Sequence, residues 1–74
     1  MPKLPVLSGR EVVRGLDRLG SQRVGQRGSH IELRRASTTV IVPDHHELRW
    51  GTLAGLMQHT GVAIDDLRAA VANR

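Results

Sequence analysis

His30 follows a Gly-Ser pair and sits inside an arginine-rich stretch, "QRVGQRGSHIELRR", that spans residues 22–35. An imidazole ordinarily titrates near pH ~6.5, so it can both give and take a proton in a cell. RNA carries its own nucleophile, the 2′-OH. Cleaving RNA through that hydroxyl needs a base for it, an acid for the leaving 5′ oxygen and cations for the charge that develops on phosphate. His30, Arg27 and Arg34 are the right residue types. Gly28 and Ser29 add backbone N–H groups and a hydroxyl at a turn, where a phosphate could approach closely. The other reading of the same residues is a surface histidine among long side chains that splay into water.

The charge distribution favours an anionic partner. The net charge is +4, and it is uneven. Residues 1–35 hold eight bases against three acids, whereas residues 36–74 hold three bases against four acids. A basic half most often meets nucleic acid. The chain has 74 residues and no cysteine, so the expectation is one small domain over residues 1–74. That domain has neither a disulfide staple nor a cysteine-type zinc site. No apolar run is long enough to span a bilayer. The opening "MPKLPVLSGRE" has no secretory hydrophobic region, so a cytoplasmic location without membrane attachment is expected.

Periodicity supplies the elements that must position His30. Ser8 and Glu11 have the spacing of a capping box, with Leu7 able to staple onto Val12. Val12, Val13, Leu16 and Leu19 share one face of the helix that follows. Arg10, Arg14 and Arg18 share another, and Gly20 stops the helix. The period then changes to two. "QRVGQR" and "HIELRR" flank Gly28-Ser29, a two-residue hairpin signal with glycine first. That turn sets Arg27 opposite His30, Gly25 opposite Glu32, Val24 opposite Leu33 and Arg23 opposite Arg34. A second turn at Ala36-Ser37 brings in "TTVIV", with Leu33 facing Val40 and Ile31 facing Val42. Val24, Ile31, Leu33, Val40 and Val42 then fall on one face. Pro43 ends the third strand.

A second helix over "GTLAGLMQHT" turns Leu53, Leu56 and Met57 inward and stops at Gly61. A third over "AIDDLRAAVANR" turns Ile64, Leu67 and Val71 inward, with Asp65 and Asp66 in its first turn. The expected fold class is α+β, a three-stranded antiparallel sheet with helices on its apolar face.

The other sheet face is then basic: Arg23, Gly25, Arg27, His30, Glu32, Arg34, Thr39 and Ile41. Like charges opposite one another, as expected for Arg23 and Arg34, destabilise a sheet by some tenths of a kcal/mol unless an anion bridges them. Other histidines weigh less. His45 and His46 are adjacent in a loop and unsuited to chelating one metal. His59 suits the end of the second helix. Trp50, the single aromatic, is expected to pack at the core edge rather than to stack on a base.

Three blocks in order, "LSGREVVRGLDRLG", "QRGSHIELRR" and "VPDHHELRWGTLAGLMQHTGV", resemble the HicA (YcfA-like) family of messenger-RNA interferase toxins. The resemblance implies a fold like a double-stranded-RNA-binding domain and metal-independent cleavage of mRNA without a cofactor. It also implies a toxin role beside a HicB-type antitoxin, and its catalytic histidine falls on His30. The chain departs from the family pattern at Ser21, usually aromatic. It departs again at Ala36-Ser37, often a Pro-Asp-Gly type turn, and at Ala63, usually a Ser or Thr cap. The expected function is therefore an endoribonuclease toxin. His30 moves protons, and Arg23, Arg27, Gly28, Ser29, Arg34 and Arg35 bind the RNA backbone. The alternative is a non-catalytic RNA-binding module of the same fold.

Overall fold

The computed structural model describes residues 6–72, in the order α1 (Gly9–Arg18), β1 (Gln22–Arg27), β2 (His30–Arg35), β3 (Thr38–Pro43), α2 (Trp50–Thr60) and α3 (Ile64–Ala72). Most of the extended lead expected over residues 1–7, and the last two residues of the third helix, lie outside the described residues. The capping box is formed. The Ser8 hydroxyl accepts from the Glu11 amide at 3.1 Å, and the Glu11 carboxylate accepts from the Ser8 amide at 2.9 Å. Two of the four orphan amides that every helix start leaves are thereby satisfied. Gly20 at φ +106° and Gly61 at φ +76° take the left-handed backbone that ends α1 and α2.

The sheet is antiparallel in the order β1-β2-β3. Its inner face buries Ile31, Leu33, Val40 and Val42, which join Val12 and Leu16 of α1, Leu53 of α2 and Leu67 of α3 in one core. The helices α1 and α3 pack closely at Gly15, where a methyl group would stand 2.8 Å from Leu67 Cδ1 and 2.9 Å from Val71 Cγ2. Arg18 of α1 donates to the Ala70 carbonyl across the same contact at 2.6 Å.

Both hairpin turns fall where expected. Gly28 adopts φ +54°, as a glycine-first turn requires. The second turn places Ala36 at φ +53°, the only non-glycine positive φ among the described residues. A Cβ in that region costs roughly 1–2 kcal/mol. Glycine there would relieve the strain and add unfolded-state entropy, so Ala36→Gly is expected to raise stability by a net ~0.5–1 kcal/mol. Thermal melts check this, and an unchanged or lower midpoint would refute strain at Ala36.

One register expectation is corrected. Pairing of β1 with β2 runs as expected from Arg27–His30 through Gly25–Glu32, then slips, so that Arg23 faces Leu33 and Gln22 faces Arg34. Val24 bulges out and is 49% exposed instead of joining the core, and Arg23 does not oppose Arg34. The strand is at the sheet edge and carries Gly25 beside the slip, the setting in which a bulge costs least. A one-residue slip moves every side chain beyond it to the other face.

Trp50 is likewise corrected. It opens α2 but is 43% exposed and outside the core cluster, because Leu53, Leu56 and Met57 already fill the inward face of that helix.

Candidate nucleic-acid interface

The sheet's outer face is read in rows across the three strands. The first row is Arg27–His30–Pro43, the second Gly25–Glu32–Ile41 and the third Gln22–Arg34–Thr39. Helices cover the other face, so these side chains stand in the open, and His30, Glu32, Arg27 and Arg34 are all exposed. Gly25, Gln26, Arg27, His30, Glu32 and Ile41 line a groove of about 530 Å³. His30 therefore lines an open groove whose charged members are Arg27 and Glu32, directly after the Gly28-Ser29 turn.

That turn is braced from behind. The Asp44 amide donates to the Ser29 carbonyl at 2.6 Å. The Gln26 side chain donates to the Gly28 carbonyl at 2.9 Å and to Asp44 Oδ2 at 3.5 Å. Arg10 of α1 donates to Asp44 Oδ1 at 3.1 Å. Asp44 thus joins the turn before His30 to the start of α1. Neither Asp44 nor Gln26 was marked by spacing. The only hint is that Asp44 follows the strand-ending proline, where a short polar side chain commonly turns the chain.

Not every expected contact residue gathers here. His30, Arg27 and Arg34 share the open face, with Gly28 and Ser29 at its edge. Arg23 does not join them, because the bulge turns it to the helix side. There its guanidinium donates to the Gln26 carboxamide oxygen, and it lines a cleft of about 490 Å³ with Arg10 and Arg14. Asp17 and Asp44 line the same cleft and offset much of its charge. Arg35 is also on the helix side, paired with Thr38 at the far end of β2 and near Gly20.

The remaining histidines are elsewhere. His45 and His46 line a separate hollow with Ser8, Arg10 and Asp44. The His59 ring nitrogen Nε2 is 3.2 Å from the Thr39 carbonyl, tying the end of α2 to the outer edge of β3. Among the described residues no three His, Asp or Glu side chains converge as metal ligands would.

An antiparallel sheet with helices on one face and a histidine among arginines on the other defines a small α+β domain with an open cationic surface. The family described as HicA toxin of bacterial toxin–antitoxin systems matches residues 9–62, from the first residue of α1 to just past the stop of α2. The chain belongs to that toxin family, and the match contains the whole sheet. Among curated proteins nothing matches the chain. No helix among the described residues is long and apolar enough to cross a membrane.

Proposed function

We propose that the chain is an endoribonuclease that cleaves mRNA by attack of the 2′-OH on the adjacent phosphate. The observation that carries this reading is His30, exposed in the open groove, with Arg27 directly across from it and Arg34 two rows further along the same face. His30 moves a proton at the reacting phosphodiester. Arg27, Arg34 and the Gly28-Ser29 turn hold the phosphate charge. Arg23 on the edge strand and Arg35 at the far end of β2 bind neighbouring phosphates where the RNA runs past the sheet. Breakage leaves a cyclic phosphate on one fragment and a 5′-OH on the other. The partner is a HicB-type antitoxin, which silences the toxin by burying His30 and offering carboxylates to Arg27 and Arg34 in place of phosphate.

The test is a cleavage assay on RNA and DNA of one sequence, in chelator. RNA is expected to be cut and DNA spared, because DNA lacks the 2′-OH. Cleaved DNA, or complete loss of activity in chelator, would point to a metal-bound water instead. RNA that is bound but never cut would establish the binding module. Adding the antitoxin is expected to stop the reaction. Tight binding with cleavage still running would move its docking site away from His30.

A further inference from the structure

Glu32 is out of place on a surface meant for phosphate. It follows His30 by two positions on β2 and shares its open face, about 6.7 Å away along the strand at the usual rise per residue. Its cross-strand neighbours, Gly25 and Ile41, offer neither a cation nor a donor. The charged groups around it on this face are His30 and Arg34 of its own strand and Arg27 of β1. The facing strand β3 presents Thr39, Ile41 and Pro43. Among the described residues the Glu32 carboxylate makes no ion pair, and neither it nor the His30 ring makes a side-chain hydrogen bond. A carboxylate that pairs with nothing stabilises nothing, and it repels the phosphate its neighbours attract.

The space beside it is open. A methyl group on Gly25 would meet no atom within 4 Å, and Glu32 and His30 line the same groove. The attack on phosphate needs two proton transfers. The entering and leaving oxygens lie on opposite sides of phosphorus, so one group cannot reach both in the same instant. A base and an acid are needed, each within about 3 Å of the oxygen it serves. Two unpaired groups, one acidic and one basic, two positions apart on one face supply such a pair.

We propose that Glu32 is the general base and His30 the general acid of the cleavage, an assignment that rests on the ribonuclease reading above. The Glu32 carboxylate takes the proton of the 2′-OH as that oxygen bonds to phosphorus. The bond from phosphorus to the 5′ oxygen breaks, and that oxygen takes a proton from the His30 imidazolium. The products are a 2′,3′-cyclic phosphate and a 5′-OH. Glu32 is left protonated and His30 neutral, and exchange with water resets both. Arg27 and Arg34 offset the charge on the non-bridging oxygens.

The experiment is single-turnover cleavage of a single-stranded RNA oligonucleotide across pH by the whole chain, with RNA affinity and melting temperature measured beside it. The wild type is expected to give a bell-shaped pH dependence, with one limb set by the base and the other by the acid. Glu32→Gln is expected to melt as the wild type does and bind RNA at least as tightly. It should cleave at least ~100-fold more slowly and lose the limb of the bell that the base sets. Glu32→Asp is expected to keep that limb at an intermediate rate. Glu32→Gln that cleaves at the wild-type rate with the wild-type profile, while His30→Ala is inactive, overturns the Glu32 role and leaves the ribonuclease reading standing. Faster cleavage with tighter binding would make Glu32 a repelling charge and overturn it equally. A wild type that cuts no RNA overturns both.

Discussion

Purified His30→Ala is expected to lose RNA cleavage by a factor of at least ~100, while its melting temperature stays within ~4 °C of the wild type. The two halves have separate causes. A positioned acid or base contributes ~10²–10⁴ to the rate of a proton-transfer reaction. Arginines alone can neutralise phosphate but cannot deliver a proton to a leaving oxygen at neutral pH. The fold should not notice the change, because the ring projects from the outer face and packs against no helix. Its backbone stays in the ladder with Arg27 and Pro43. Exposed substitutions of this kind stay within about ±0.5 kcal/mol, which for a domain this small is a few degrees. Induced expression gives the same comparison in cells, with growth arrest by the wild type and none by the variant. Wild-type cleavage by His30→Ala would remove the ring from the chemistry.

The hairpin that carries His30 was legible because two kinds of signal coincide there. Gly28-Ser29 names a turn, and the alternation on either side names the faces, so Arg27–His30 and Gly25–Glu32 follow directly. Farther from that turn the reading fails, and for a physical reason. Alternation assumes that pairing is never interrupted, and the one mark of an interruption in "QRVGQR" is Gly25, which strict alternation treats as an ordinary paired position. Val24 is apolar and two residues out of step with nothing, so period two assigns it to the core. In the fold the edge strand gives up one pairing position beside Gly25, and Val24 goes to solvent. The consequence reaches the site: Arg23 leaves the open face, and the expected Arg23–Arg34 pair dissolves. Trp50 was misread through size alone. A lone Trp before a helix often packs at the core edge, but here Leu53, Leu56 and Met57 form the buried face of α2 and Trp50 at its first position stays 43% exposed. Asp44 and Gln26 were invisible because their work is done across the fold, between segments that sequence spacing does not relate.

Gly9→Ala is expected to destabilise the chain by at least ~3 kcal/mol and to lower the melting midpoint by more than ~12 °C. The residue is buried at the first position of α1. A methyl group there would overlap the Pro43 carbonyl oxygen and stand 2.9 Å from the Pro43 carbonyl carbon and 3.1 Å from Asp44 Cα. These are backbone atoms, so no rotamer change can make room. Two chain segments are fastened at that point. The Gly9 amide donates to the His45 carbonyl, and the Leu48 amide donates to the Leu7 carbonyl, both at 2.8 Å. Separating the segments therefore strains or breaks buried hydrogen bonds as well as packing. The displacement should also be felt at the site, because Asp44 is the residue whose amide holds the Ser29 carbonyl one residue before His30. Gly9→Ala is accordingly expected to slow RNA cleavage even at temperatures where the chain remains folded. Gly51 and Gly25 serve as controls: a methyl group at either meets nothing within 4 Å, and neither has a positive φ. Gly51→Ala, in the first turn of α2, is expected to leave stability unchanged or raise it by up to ~1 kcal/mol, since alanine is the better helix former. Denaturant or thermal unfolding of the three variants decides the matter. A Gly9→Ala chain that melts with the Gly51→Ala chain would show that the approach of α1 to the end of β3 is looser than this, and that the brace from α1 through Asp44 to His30 carries no strain.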